Sequence, residues 1–155
     1  MNQIDWRLKR FDELDINELY DALKLRVDVF VVEQTCYYPE LDNLDRDPNT
    51  LHLLAYQQDK LIAYLRILPN GTSYTDYPAI GRVVIEHSAR GTGLGHRLMK
   101  RALTACQSHF PNLGVKISAQ EHLESFYNHH GFLRCSDMYL EDGIPHISMV
   151  KSQLE

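Results

Sequence analysis

Three glycines at alternate positions, Gly91, Gly93 and Gly95, follow an apolar run and open a stretch of helical spacing. An anionic diphosphate needs that order. Several backbone N–H groups must converge on it with no side chains in the way, and a following helix adds its unpaired N-terminal N–H groups and the positive end of its dipole. Rival phosphate loops can be tested against the residues. A P-loop ends in Gly-Lys-Ser/Thr, but Gly95 is followed by His96 and Arg97. The dinucleotide fingerprint G-x-G-x-x-G has its last glycine where this chain has His96, and the loop follows about the fourth strand instead of the first. What remains is R-x-x-G-x-G, carried by Arg90-Gly91-Thr92-Gly93-Leu94-Gly95. As a bare string it also reads as a tight strand-to-helix turn.

Other groupings exclude chemistry. Asp45-Arg46-Asp47-Pro48-Asn49 mimics the start of a calcium loop, but Thr50 replaces the required glycine and Tyr56 the final glutamate. The eight histidines include no H-E-x-x-H, and His129 and His130 are adjacent and diverge on a helix, so no metal is expected. Cys36, Cys106 and Cys135 form no C-x-x-C pair and read as reduced thiols in a reducing compartment. The net charge of −5 argues against a nucleic-acid partner. Its acids are uneven: Glu40, Asp42, Asp45 and Asp47 crowd one stretch. This is either a solvated acidic loop or a mouth that attracts a cationic substrate such as an amine.

The elements that must position the glycine loop follow from periodicity. Ile4, Trp6 and Leu8 alternate as in a strand. Asp15 and Glu18 form a capping box, and Ile16, Leu19, Leu23, Val27 and Phe30 recur at helical spacing, so a helix is expected from Ile16 to about Glu33. After a polar loop with Pro39 and Pro48, strands are expected at 51–56 and 61–68 around a turn at 57–60, and again at 80–85. Leu94, Leu98, Ala102 and Ala105 mark the apolar face of a helix that Pro111 ends. A strand at 115–119, a helix at 121–130 stopped by Gly131, and two closing strands at 133–140 and 146–150 complete the order. A hairpin-rich first half and a β-α-β second half imply an α/β fold, a central twisted mixed sheet flanked by helices. The 155 residues fit one domain, 1–155. No apolar run approaches the ~18–20 residues of a membrane span. The start of the chain has neither the basic nor the apolar segment of a signal peptide, so a cytoplasmic location without a membrane partner is expected.

A second segment changes the weight of the loop. Gln120-Glu121-His122-Leu123-Glu124-Ser125-Phe126-Tyr127-Asn128-His129-His130-Gly131-Phe132 resembles the second motif of the GCN5-related N-acetyltransferase (GNAT) superfamily. That motif is a helix ending in Tyr, then three residues, then Gly-Phe, with a polar amide seven residues before the Tyr. Here Gln120 stands where Asn is usual. The R-x-x-G-x-G string is the family's acyl-CoA loop, and the two motifs are separated by the family's spacing of one helix and one strand. Val29-Phe30-Val31-Val32-Glu33-Gln34 and Tyr139-Leu140-Glu141-Asp142-Gly143-Ile144-Pro145-His146 are similar to the ElaA-like branch.

The resemblance implies the GNAT acyl-CoA N-acyltransferase fold and an acetyl-CoA-dependent N-acetyltransferase acting by direct transfer. Val83, Val84 and Ile85 would bind pantetheine through strand backbone, Arg90, Gly91, Thr92, Gly93, Leu94, Gly95 and the N–H of His96 would hold the pyrophosphate, and Gln120 would stand beside the cofactor. Direct transfer needs a neutral nucleophile, a polarised thioester carbonyl and a proton for the leaving thiolate. A tyrosine, with an ordinary pKa near ~10, carries that proton at neutral pH, which makes Tyr127 the expected general acid. A strand N–H near Val84 would polarise the carbonyl. Glu33 and His52 are candidates for the general base, with His146 and Glu141 behind them. The acceptor is an unidentified small-molecule or peptide amine, and a homodimer is compatible with a domain of this size. Two other readings stay open. Arg26, Phe30, Glu33, Glu40, Asp42, Asp45 and Arg66 resemble the N-terminal pattern of acyl-homoserine-lactone synthases, which draw on acyl carrier protein and S-adenosylmethionine. A non-catalytic acyl-CoA-binding module is the other.

Overall fold

A computed structural model describes residues 3–153. In chain order its elements are β1 (Ile4–Lys9), α1 (Ile16–Arg26), β2 (Leu51–Gln57), β3 (Lys60–Leu68), β4 (Ala79–Ile85), α2 (Leu94–His109), β5 (Val115–Gln120), α3 (Glu124–His129), β6 (Leu133–Arg134), β7 (Tyr139–Glu141) and β8 (Ile144–Lys151). The strands form one mixed sheet in the order β1-β2-β3-β4-β5-β8, with β6 and β7 both paired to β8. Only β4 and β5 run parallel, joined by the α2 crossover. This is the α/β architecture expected from the pattern.

Each face of the sheet carries one long helix. Leu94, Leu98, Met99, Ala102 and Ala105 of α2 are buried against Leu53, Ala63, Leu65, Ile67 and Ile117. Ala22, Leu25 and Val29 cover Leu54, Tyr64 and Val84 on the opposite face. Burying each leucine or isoleucine is worth about 1.5–3 kcal/mol relative to leaving it in water, so these two layers clamp the sheet from both faces. Among the described residues no helix is long and apolar enough to cross a membrane.

Three expectations about elements are corrected. The first helix is α-helical only to Arg26 and continues as a wider π-helical stretch, Val27–Glu33, in which Gln34 N–H donates to Val29 O at 2.9 Å. The run Val27, Val29, Val31, Val32 is β-branched and resists tight α packing. The buried face of α1 is also not the apolar one. Glu18, Ala22, Leu25, Arg26 and Val29 are buried, while Ile16 is 85% exposed. The Asp15–Glu18 capping box forms as expected (2.7 and 3.0 Å), and Glu18 also takes Arg7 and Lys9 (3.0 and 2.8 Å), so a paired carboxylate sits where hydrophobicity alone would place a leucine. Finally, the strand expected at 133–140 splits into β6 and β7. β7 returns into β8 through Asp142-Gly143, whose φ values of 52° and 79° suit the two-residue hairpin turn that Asp-Gly favours.

Candidate active site

The site begins with a defect in pairing. β4 pairs with β3 along its length, but among the described residues it meets β5 at a single register position, Ala79↔Lys116. The cause lies in β4 itself. Tyr64 faces Val84 while Arg66 faces Gly81, so β4 carries one more residue than β3 across this interval, and Arg82 takes a left-handed φ of 52°. Such a bulge bends its strand and ends pairing with the next. The isolated Gly81 inside an apolar strand was a legible signal of it. Beyond Ala79 the free edge of β4 diverges from β5 and opens a cleft of about 130 Å³. Val83 lines the cleft, Val84 is buried under α1, and Ile85 packs toward α2, so what these three residues present to the gap is largely backbone.

The glycine loop stands at one end of this edge. Gly91 and Gly93 have φ of +78° and +81°, and a Cβ at either would meet nothing within 4 Å. The cradle above them is therefore open. The first amide of α2 with a partner inside the helix is that of Arg97, bonded to Gly93 O at 3.3 Å, which leaves the N–H groups of Leu94, Gly95 and His96 directed out of the helix end. Gly93 at the N-cap has no side chain to occupy them. Thr92 Oγ1 donates to Ala89 O at 2.7 Å and holds the loop's shape. Gly95 lets α3 approach: its missing Cβ would lie 3.4 Å from the Phe126 ring. The His96 ring stacks on Phe126 at 4.7 Å and shares a hydrogen bond of 2.9 Å with His130. Burial, reinforced by His96, His129 and two lysines, lowers His130 to about 4. Burial also lowers His52. Both imidazoles fold neutral, so the unfolded chain binds more protons below its ordinary histidine pKa of 6.5. Thermal midpoints measured across pH are expected to fall from pH 6.5 down to about 4, and His130→Asn should flatten that slope.

Glu33 belongs to the loop and not to the cleft lining. Its carboxylate forms a two-pronged pair with the Arg90 guanidinium at 2.7 and 3.0 Å, while Arg90 Nε donates to Ile85 O at 3.1 Å. The Arg90 hydrogen bonds hold Glu33 below the usual carboxylate range, which makes it a poor proton acceptor. His52 is likewise misplaced for a base. It is 2% exposed on β2, two strands away from the cleft. Its Nε2 donates to Asp45 O at 3.1 Å and its Nδ1 accepts from the Tyr64 hydroxyl at 2.7 Å, so neither nitrogen is free.

The acidic stretch is neither a solvated loop nor an open negative mouth. Glu40, Asp42 and Asp45 meet three guanidinium groups. Arg26 binds Glu40 at 2.6 Å and Asp45 at 2.8 Å, Arg66 binds Asp42 at 2.6 Å and Asp45 at 3.1 Å, and Arg82 binds Glu40 at 2.8 Å. Tyr38 donates to Glu40 at 2.6 Å. Asp47 only closes a local turn onto Asn49 N. The network cancels its own charge and anchors the bulge at Arg82. Burial alone would raise Asp42, but the hydrogen bonds and charge of Arg66 outweigh it and hold it at about 2. A depressed carboxylate stabilises the fold above its ordinary pKa of 3.8 and stops doing so as pH falls toward 2. Acid unfolding followed by circular dichroism should therefore steepen within that window.

The far wall of the cleft is the polar face of a strand. β5 alternates buried Val115, Ile117 and Ala119 with half-buried Lys116, Ser118 and Gln120, and the second set faces the gap at Ser118 and Gln120. The registers Gln120↔His146 and Tyr139↔His146 continue this face across β8 and β7. Tyr127 reaches the cleft from α3. Its ring is wedged edge-on against Phe126 and Phe132, and burial pushes its hydroxyl up to about 12, so it holds its proton at any ordinary pH. Sequence reasoning had no signal for Ser118 or Tyr38, whose roles depend on which strands become neighbours.

Comparison with known proteins agrees with this geometry. The model of the "Acetyltransferase (GNAT) domain" family matches residues 20–153. The chain is 39% identical over 152 residues to Protein ElaA of Escherichia coli (strain K12), covering 98% of this chain and 99% of that one. The crystal structure of an acyl-CoA N-acyltransferase from Pseudomonas aeruginosa is 45% identical with a TM-score of 0.93, covering 97% of this chain and 100% of that one. The crystal structure of Escherichia coli ElaA superposes with a TM-score of 0.92 over the same shares. By these matches the chain belongs to the GNAT acyltransferase family, in its ElaA-like branch.

Proposed function

We propose that this chain moves an acetyl group from acetyl-CoA to the amine of an acceptor by direct attack, with no covalent acyl-enzyme. One observation carries the reading: the unpaired edge of β4 runs from the open cradle at Gly91–Gly95 to the cleft that Tyr127 enters. Pantetheine would lie along that edge as an added strand, bonding to backbone at Val83 to Ile85. The pyrophosphate would take the N–H groups of Leu94, Gly95 and His96. The thioester carbonyl would then sit beside the bulge at Arg82–Val83, where backbone N–H groups are not all spent on β3. Tyr127 would give its proton to the departing thiolate, and Gln120 lines the same cleft.

Calorimetric titration with acetyl-CoA, desulfo-CoA and adenosine diphosphate, beside Gly93→Asp, tests the donor half. Aspartate tolerates left-handed backbone better than most residues and meets no neighbour there, so the variant should fold and act through its charge. Micromolar binding of acetyl-CoA is expected in the native chain, with loss of about 100-fold or more in the variant, since a carboxylate replaces an approaching phosphate's cradle. Absence of binding to every CoA species would overturn the reading and favour acyl carrier protein with S-adenosylmethionine. The residues in favour of that second reading, Arg26, Glu40, Asp42, Asp45 and Arg66, form the buried network described above.

A further inference from the structure

Across the cleft from β4, two acceptor atoms are held face to face. His146 is 8% exposed on β8, and its Nδ1 lies 2.8 Å from the backbone carbonyl of Ile144. A carbonyl oxygen only accepts, so Nδ1 carries a hydrogen, and in the neutral imidazole Nε2 presents its lone pair. That lone pair points at Glu141 Oε2, 3.4 Å away. The other oxygen, Oε1, is already taken by Ser118 Oγ at 3.1 Å, and Ser118 shares a bond of 2.5 Å with the Tyr139 hydroxyl. Tyr139 stacks on the His146 ring and fixes its plane. The carboxylate is thus oriented from behind, and its free oxygen and Nε2 of the neutral imidazole are two acceptors that one proton donor can join. Both side chains line the cleft that Tyr127 enters.

We infer that His146 and Glu141 form the acceptor subsite, which binds a slender primary alkylammonium and takes its proton. This deepens the acyl-transfer reading above and rests on it for the chemical step. An ammonium has three N–H donors. One can point to Glu141 Oε2 and one to His146 Nε2, so a single donor group satisfies both acceptors. Proton transfer to Nε2 breaks one ammonium N–H bond and leaves a neutral amine. The new Nε2–H then donates to Glu141 Oε2, so the two residues hold the proton after transfer as they held the ammonium before it. The amine lone pair attacks the thioester carbon, the C–N bond forms and the C–S bond breaks. The thiolate takes the Tyr127 proton, and the remaining excess proton on the new amide nitrogen returns to Tyr127. The proton on His146 leaves to solvent. The sum is ammonium plus thioester to amide, thiol and one proton.

Size supports the class of acceptor. The cleft is about 130 Å³, and the 34–38 loop meets the β7–β8 turn across it, where Cys36 Sγ lies 3.7 Å from Asp142 O. A single alkyl chain ending in an amine fits such a slot. The charge also fits. With Glu40, Asp42 and Asp45 paired to arginines, Glu141, half exposed at the cleft with Asp142 beside it, is the carboxylate that faces His146 there.

The test uses the full chain with ¹⁵N-labelled histidine. n-Butylammonium, butanol and Nα-acetyl-lysine methylamide are titrated while the His146 ring nitrogens are read by NMR, assigned with His146→Gln. Saturable shifts of Nε2 with butylammonium but not with butanol are expected, weakened about tenfold or more in Glu141→Gln, the loss typical of one charge-assisted bond. Tighter binding of the lysine probe would name peptide lysine as the source of the ammonium, and tighter binding of butylammonium a free small amine. Equal response to butanol and butylammonium, or equal affinity in Glu141→Gln with its fold intact by circular dichroism, overturns the subsite. Acetyl-CoA is titrated into the same samples. If it fails to bind in all of them while the amine responses hold, the donor reading falls and the ammonium site stands.

Discussion

Tyr127→Phe is expected to lower kcat for acyl transfer by about 10²–10⁴-fold, the usual range for removing a positioned acid. The affinity for acetyl-CoA should stay within about twofold, because the proposed donor contacts are backbone groups on other elements. The thermal midpoint should hardly move. Burial is the sole cause of the shift in the Tyr127 hydroxyl, with no hydrogen-bond partner contributing, so deleting the oxygen strands no group in the protein. The ring itself, packed on Phe126 and Phe132, is retained by phenylalanine. Steady-state rates, calorimetry and a melting curve on one preparation check all three. Unchanged kcat would move the proton source elsewhere, and a chain that binds acetyl-CoA yet turns over no acceptor would favour a binding module.

Arg26→Met is expected to destabilise the fold by about 3–5 kcal/mol, since it leaves the three carboxylates of the network with two guanidinium groups and an excess negative charge in a buried place. Arg26 is 1% exposed, and three of its contacts are to Glu40 and Asp45. For a domain of this size that loss is a drop in thermal midpoint on the order of 10 °C, or a matching fall in the urea midpoint. The variant should also lose acceptor turnover before it unfolds, because Glu40 holds Arg82 at the bulge and Tyr38 beside the cleft. Loss of stability under about 1 kcal/mol would mean that water replaces the guanidinium and that the network is not sealed.

The two substitutions probe parts of the protein that differed in how readable they were. Gly91 and Gly93 were readable as a turn because glycine suits their positive φ with nothing in front of the backbone, and a strand before and a helix after framed it. Tyr127 was readable through its fixed offset from Gly131 and Phe132, a local relation that one short helix and its stop preserve. The α2 stripe was readable because its core face is wholly apolar.

The α1 face was not readable by that rule. Hydrophobic periodicity counts Glu18 and Arg26 as solvent residues, and they are interior because Lys9 and Arg7 on β1, and Glu40 and Asp45 in the loop before β2, come to pair with them. The same cause undid the acidic loop: its charge is cancelled by Arg26, Arg66 and Arg82, which lie up to 42 residues away in sequence. Glu33 and His52 were sound as residue types and wrong as bases, because a proton acceptor is defined by what its free atom faces. Arg90 covers the one, and Tyr64 with Asp45 fills both nitrogens of the other.

By itself, then, the order of residues determined most of the strands, the glycine turn and the short helix of Tyr127, which depend on relations local in the chain, and the family, which rests on the spacing of two such motifs. The splay of β4 from β5 and the neutral arginine–carboxylate network were decided only when distant strands and loops took their places, because pairing register and burial of charge are properties of neighbours in space.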